Sequence, residues 1–197
     1  MGRTYPAIDS RLRAFVEAQR IFFVATAPSG TGGHVNLSPK GLDSFRILDE
    51  QTVAYMDFVG SGVETIAHLR DNGRICVMFC AFEGHPTVLR LHGRGEVIEP
   101  QDRRFDELRP MFPDAPPGSV RSIIVARLTR ISDSCGYGVP LYHYAADRPQ
   151  LTAWAERKGP SALLQYQRDK NARSLDGGPG LQWTGQEPDA RSTDSGT

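Results

Sequence analysis

Val53–Phe82 reads VAYMDFVGSGVETIAHLRDNGRICVMFCAF and contains four elements in a span that leaves room for few other connections. Val53–Phe58 carries apolar side chains on most of both sides, which is typical of a buried strand. Glu64–Asn72 has apolar residues on one face and is followed by Gly73, which is typical of a helix end. The stretch therefore predicts a strand, a turn, a short helix and a second buried strand.

The turn between this strand and this helix is Gly60-Ser61-Gly62. Its glycines allow the backbone to pass close to a bound group, and Ser61 adds a hydroxyl. The N–H groups at the start of the following helix have no partner within the helix and stabilise anions. We therefore expect Ser61, Gly62 and Thr65 to contact an anion such as phosphate.

The composition excludes several classes of protein. The chain has 197 residues, enough for one domain with an appendage, and its 23 basic residues balance 23 acidic ones. A neutral chain argues against a broad nucleic-acid surface. No apolar run approaches the roughly 20 residues of a membrane helix, and the first ten residues lack the apolar core of a signal peptide. We expect a cytoplasmic protein that binds neither nucleic acid nor a membrane.

The cysteines and histidines do not form a metal-binding pattern. Cys76, Cys80 and Cys135 lack the paired CxxC spacing of zinc sites, and the histidines show no HExxH motif. Cys76 and Cys80 lie four residues apart in a predicted strand and are expected on one face as buried thiols. We predict no bound metal and no disulfide framework.

The other strand signals indicate a mainly β fold. Ile21–Ala27 and His34–Leu37 read as a hairpin, Thr87–Ile98 alternates apolar and basic residues, and Ser122–Ile131 is the last clear strand. Six or so strands with few, short helices favour an antiparallel barrel over a doubly wound sheet. The nucleotide-binding motifs GxGxxG after a first strand and GxxxxGK[ST] are absent from the sequence.

His34–Gly41, which reads HVNLSPKG, places polar groups in a row. On a strand, His34, Asn36 and Ser38 share one face, and Lys40 follows at the strand end. A hydroxyl, an amide and an ammonium in a line suit a polyhydroxy chain that ends in phosphate. The alternative is a polar outer face of a strand followed by a turn.

A second polar row lies on Thr87–Ile98, where Arg90, His92 and Arg94 alternate with apolar residues. Arginine binds phosphate or ring carbonyl oxygens through paired, charge-assisted hydrogen bonds. The alternative is a solvated basic face that pairs with carboxylates such as Glu96.

The segment SCGYGVP, residues 134–140, combines a thiol with an aromatic ring between glycines. Cys135 could be reactive, and Tyr137 could lie against a flat ligand. Packing is the alternative for Cys135, because no partner base adjoins it in the sequence.

The order of these pieces resembles the pyridoxamine 5′-phosphate oxidase-like family, the FMN-binding split barrels. The resemblance covers about residues 14–131 and is carried by HVNLSPKG, by VAYMDFVGSGVETIAHLRDNGRICVMF and by VLRLHGRGEVI. SCGYGVP and KNARSLDGGPGL, residues 170–181, look like an uncharacterised sub-group of that family. The resemblance implies a six-stranded antiparallel split β-barrel with flanking helices that forms a homodimer, with FMN at the dimer interface.

The resemblance also assigns a cofactor site. The residues that it places near FMN are Asn36, Ser38, Lys40, Ser61, Gly62, Thr65, Arg90 and His92. The turn Gly60–Glu64 departs from the Ser-Arg-Lys run that the vitamin B6 oxidase carries there. Relatives bind the deazaflavin F420 or haem in the same groove, so these cofactors stay open as alternatives to FMN.

These observations predict an FMN-dependent oxidoreductase that acts on a small organic substrate, with Cys135 and Tyr137 as candidate catalytic residues. The flavin would carry the chemistry, so no protein nucleophile is required. A non-catalytic carrier of F420, FMN or haem is the alternative. We expect the flavin-binding barrel at residues 1–145, a helical extension that packs on the barrel or the dimer partner at 146–182, and a disordered tail at 183–197.

Overall fold

The computed structural model describes residues 2–182, whose strands form one antiparallel sheet. The strands follow the order β3-β2-β6-β7-β8-β5-β4, and β1 pairs with the end of β8. The strands are β1 (Thr4–Tyr5), β2 (Phe22–Thr26), β3 (Asn36–Lys40), β4 (Phe45–Ile47), β5 (Thr52–Phe58), β6 (Arg74–Cys80), β7 (Thr87–Ile98) and β8 (Val120–Cys135). The helices are α1 (Ser10–Glu17), α2 (Glu64–Asn72), α3 (Arg103–Leu108) and α4 (Gln150–Lys170), with a 3₁₀ turn at Arg109–Met111.

The sheet curls into a half-barrel. Lys40 on the end strand β3 lies 3.0 Å from Asp57 on β5, near the other end of the strand order. Phe22 on β2 and Phe45 on β4 pack with ring centroids 5.1 Å apart. These contacts join strands that are distant in the sheet, so the predicted mainly β, split-barrel architecture with flanking helices is confirmed.

The sheet has eight strands over residues 2–182, where the sequence predicted six. The sequence pattern missed β1, which has 2 residues and pairs with Ser132 and Ile131 of β8, and β4, which has 3 residues and pairs with β5. Strands this short are below the four to eight residues over which alternation can be recognised. Strand β8 is also longer than predicted and extends to Cys135.

Strand β5 is buried on both faces, as its sequence predicted. Val53 and Tyr55 belong to the core inside the half-barrel, whereas Ala54 and Met56 pack into a second apolar cluster with Phe112. Each of these side chains is buried. The strand thus joins two cores and fixes the position of the turn that follows it.

Helix α2 has the bounds that the sequence predicted. It ends at Gly73, whose φ of 69° lies in the left-handed region that glycine adopts without a steric cost. Ile66 and Leu69 are buried in the main core. The helix therefore lies against the barrel with its first turn beside the loop after β5.

The chain beyond the barrel packs on this loop and on α2. Helix α4 is kinked at Gly159 and buries Leu163 against Val59. After it, Asn171 Nδ2 donates a hydrogen bond to the Gly60 carbonyl at 2.9 Å. The domain boundaries at 145 and 182 stay predictions, and the tail predicted at 183–197 lies outside the described residues.

Within residues 2–182, no helix combines the length and the apolar character that crossing a membrane requires.

Candidate functional site

A groove of about 290 Å³ lies between strand β3, the loop after β5 and the first turn of α2. Its lining includes several of the predicted cofactor residues together with an arginine and a glutamate that the sequence did not single out. These residues are Asn36, Ser38, Lys40, Gly62, Glu64, Thr65 and Arg121. The groove is therefore the place where the predicted β3 row and the predicted turn meet.

The polar row of β3 is held by hydrogen bonds along one wall of the groove. Asn36 Nδ2 donates to Thr65 Oγ1 at 2.9 Å and to Thr26 Oγ1 at 3.1 Å. Ser38 Oγ donates to Asn36 Oδ1 at 3.0 Å. These part-buried contacts place the row on the groove wall and not on a solvated outer face, and its part in binding stays a prediction. The row begins at Asn36, because His34 precedes the strand and is exposed.

Three charged side chains form the base of the groove. Asp57 is fully buried on β5, and its carboxylate accepts hydrogen bonds from Lys40 Nζ at 3.0 Å and from Arg121 Nε at 2.8 Å. Burial by itself raises the pKa of Asp57, but the positive charges of Arg121 and Lys40 outweigh it and lower the pKa from 3.8 to about 2. Two cations around one anion give this cluster a net positive charge, and the Glu64 carboxylate in the lining balances it over the groove as a whole.

The start of helix α2 differs from the predicted open anion site. Glu64 lies in the first turn, and its Oε1 accepts a hydrogen bond from the Leu175 backbone N–H at 3.1 Å. Gly62 and Thr65 line the groove, whereas Ser61 is exposed and lies outside its lining. A carboxylate at this helix end repels a second anion, so the groove attracts anions through Lys40 and Arg121 instead.

Two predicted cofactor residues, Arg90 and His92, lie outside the groove lining. Val24 on β2 pairs with Ser38 on β3 and with Val77 on β6, so these three side chains share the inner face of the sheet. His92 pairs with Cys76, the neighbour of Val77, and therefore lies on the outer face. The two predicted rows thus occupy opposite faces of one subunit.

The outer-face residues contact each other rather than the groove. Arg90 Nη1 donates a hydrogen bond to Ser134 Oγ at 3.0 Å, and Cys76 Sγ lies 3.9 Å from His92 Nε2. Burial lowers the pKa of His92, and the nearby charges of Arg130 and Arg90 lower it further. Burial and the two neighbouring arginines therefore favour the neutral form of the His92 imidazole.

The candidate catalytic residues lie at the far end of β8. Cys135 pairs with Thr87 in the β7–β8 ladder, and its side chain is exposed. Tyr137 is 81% exposed in the following turn. Neither residue lines the groove, so a part for them in the chemistry stays a prediction. The other two thiols are half-buried at Cys76 and buried at Cys80.

A family model described as pyridoxamine 5′-phosphate oxidase matches residues 8–135. The chain belongs to this family. The predicted resemblance is therefore confirmed, and the matched residues include every strand from β2 to β8. The oxidase family match ends at Cys135, so the segment after β8 and helix α4 lie beyond it.

The family assignment agrees with the most similar proteins found. A pyridoxamine 5′-phosphate oxidase family protein of Aspergillus flavus, ustO, is 40% identical over 192 residues, which cover 90% of this chain and 77% of the relative. A crystal structure of a variant of Group A Streptococcus HupZ covers 64% of this chain and 99% of its own at 20% identity and a TM-score of 0.51. A Lactobacillus delbrueckii protein named for the same oxidase covers 66% and 98% at 16% identity, with a TM-score of 0.51. At these identities the two structures show a shared fold.

Sequence reasoning missed Asp57 and Arg121. Asp57 did carry a signal, because an aspartate inside an otherwise apolar buried strand requires a cationic partner. Arg121 lies one residue before the strand that the sequence predicted from Ser122, and β8 in fact begins at Val120. The pairing of the two could not be recognised until the register of β5 and β8 was known.

Proposed function

We propose that this member of the oxidase family binds a flavin in the groove and uses it to oxidise or reduce a small organic substrate. The observation that carries the proposal is the groove in which the hydrogen-bonding β3 row lies beside the net positive Lys40–Asp57–Arg121 cluster. Family membership supports the same ligand class. FMN is the proposed flavin, because its phosphate is a terminal anion that complements this charge.

The groups present fit a phosphorylated polyhydroxy chain. Asn36, Ser38 and Thr65 offer amide and hydroxyl groups for ligand hydroxyls. Lys40 and Arg121 offer the cations for a phosphate, in place of the basic residues that the turn lacks. Glu64 is the one acidic residue in the lining, and its Oε1 accepts a hydrogen bond from the Leu175 backbone N–H.

When bound, FMN would supply hydride or single-electron transfer, and the protein would bind and orient it. Asp57 would hold Lys40 and Arg121 in place, because its buried carboxylate contacts both cations. The Asn36–Thr65 hydrogen bond would fix strand β3 against helix α2 across the groove. No protein nucleophile or general base is needed in this scheme.

The proposal is tested by titrating the purified chain with FMN and following the quenching of free flavin fluorescence. Replacing Lys40 with methionine keeps most of its volume and removes its charge, so the Kd for FMN should rise about 10- to 100-fold. Arg103→Met, at a side chain that is 88% exposed, is the matched control and should leave the Kd unchanged.

The absorption spectrum of the same sample separates the alternatives. Flavin bands support the proposal, whereas a deazaflavin spectrum would indicate F420 and a Soret band would indicate haem. A wild-type chain that takes up neither flavin, F420 nor haem would contradict the proposal. A non-catalytic carrier would bind flavin yet show no substrate-dependent change in its oxidation state. Turnover that is unaltered in Cys135→Ala and Tyr137→Phe would remove those two residues from the mechanism.

We also propose that the protein is a homodimer, with the outer face of the sheet as the interface. Leu37 on the end strand β3 is 64% exposed, and Val35 just before it is 75% exposed. Exposed apolar side chains grouped on one face are typical of an interaction surface. Sedimentation equilibrium should give twice the chain mass, and Leu37→Asp should shift the species toward monomer. Leu175→Asp, at an equally exposed leucine on the C-terminal segment, is the control.

A further inference from the structure

A larger cavity, of about 960 Å³, adjoins the groove. The two share a boundary on strand β3, the loop that follows it and helix α4. The shared residues are Pro39, Lys40, Gly41, Leu42 and Leu151. We call this larger cavity the chamber. Its volume lies within the range of roughly 300–1,000 Å³ that is typical of small-molecule sites.

One wall of the chamber comes from residues 142–151, which follow the part of the chain that matches the family model. The Tyr142 backbone N–H donates a hydrogen bond to the Phe82 carbonyl at 3.0 Å, which attaches this segment to the end of the barrel. The wall therefore lies beyond the part of the chain that matches the family model, directly beside the groove.

The wall carries two tyrosine rings, Tyr142 and Tyr144, and Phe82 of the barrel lies beside the first. The rings of Phe82 and Tyr142 lie 5.7 Å apart, and the Arg20 guanidinium lies 5.3 Å from the centroid of the Tyr144 ring. Tyr142 is 63% and Tyr144 49% exposed, so both rings have surface left for a ligand. Aromatic side chains gain most by stacking on flat partners, through both burial and ring quadrupole interactions.

The charges around the chamber nearly cancel. Lys40, Arg20 and Arg148 are matched in part by Glu83 and Asp147. A wall of rings with balanced charges selects for a flat apolar body rather than for a multiply charged one. The groove beside it differs in its base, where the Asp57 carboxylate is buried and paired with Lys40 and Arg121.

We propose that the chamber binds the planar, aromatic part of the substrate, next to the groove. Its role as a substrate site rests on the proposed flavin function, but binding of an aromatic molecule there does not. The segment 142–151 thereby determines which substrates this branch of the family accepts.

The test uses the full chain and the neutral naphthalene dye prodan, whose fluorescence rises and shifts to the blue in an apolar site. Wild type should bind prodan saturably, with and without FMN present. The double variant Tyr142→Ala/Tyr144→Ala should bind it about tenfold more weakly, because two ring contacts are lost. Leu175→Ala, which shortens an apolar side chain that is 72% exposed and outside the chamber lining, should match wild type.

Three results would overturn the inference. They are no saturable prodan binding by wild type, an equal loss in the Leu175→Ala control, and displacement of prodan by FMN, which would assign the chamber to the cofactor. The outcome is distinct from that of the flavin proposal. FMN uptake without prodan binding removes only the chamber inference, and prodan binding by a chain that takes up no flavin removes only the flavin proposal.

Discussion

The base of the groove and the wall of the chamber meet at Lys40, yet they are built in opposite ways. At the base, Asp57 and Arg121 are buried and bonded to each other, so the charges are fixed before any ligand arrives. At the wall, Tyr142 and Tyr144 are about half exposed on a segment without regular secondary structure. The difference teaches that a fold can place a region whose charges are fixed by mutual contacts directly beside a region whose aromatic rings stay exposed.

Replacing Asp57 with alanine should produce the largest loss of stability. The change leaves the Arg121 guanidinium buried without a counter-charge, and breaking such a pair costs about 3–5 kcal/mol of unfolding free energy. Urea denaturation of the two proteins measures the difference. The control is Glu107→Ala, which breaks the exposed pair with Arg103 and should cost no more than about 1 kcal/mol. Equal losses would contradict a rigid, charge-paired base.

The Asp57 carboxylate should also make the unfolding free energy depend on pH in the acid range. Its pKa is about 2 in the folded chain against 3.8 for an ordinary aspartate, so protons bind more tightly to the unfolded state. Asp57 therefore contributes about 2 kcal/mol above pH 4, and this contribution is lost as the pH falls from 3.8 through 2.

The measurement is the difference in unfolding free energy between wild type and Asp57→Asn, recorded from pH 6 down to 2. The difference isolates this group, because the other carboxylates titrate in both proteins. It should shrink steadily through the acid range, and a difference that stays constant would show that Asp57 titrates normally.

Local signals in the sequence predicted one wall of the groove and helix α2. The β3 row follows from alternation over a few residues, and the helix end follows from the single glycine at 73. Local signals could not predict the ion cluster, because Arg121 meets Asp57 only through the pairing of β5 with β8. That pairing has an irregularity between Asp57 and Phe58. Such a register depends on the whole sheet.

Alternation on β7 could not decide whether Arg90 and His92 border the groove, and for a physical reason. It shows that Arg90 and His92 share one face of β7, but it does not show which face of the sheet borders the groove. The chamber wall had no signal of this kind, because the segment that forms it has no periodic pattern. The segment can be recognised as a wall only in the folded chain, where the Tyr142 backbone N–H donates a hydrogen bond to the Phe82 carbonyl.

The smallest loss of stability is expected for a substitution in the wall of the chamber. Tyr142→Ala should change the unfolding free energy by no more than about 1 kcal/mol, because a single aromatic contact with Phe82 is lost from an exposed position. Tyr55→Ala is the contrast: that ring is buried in the core against Phe22, and its loss should cost about 3 kcal/mol or more. Denaturation curves of both variants test this difference. A large loss for Tyr142→Ala would mean that the wall is part of the stable fold, and its half-exposed tyrosines would then be poorly suited to adapt to different substrates.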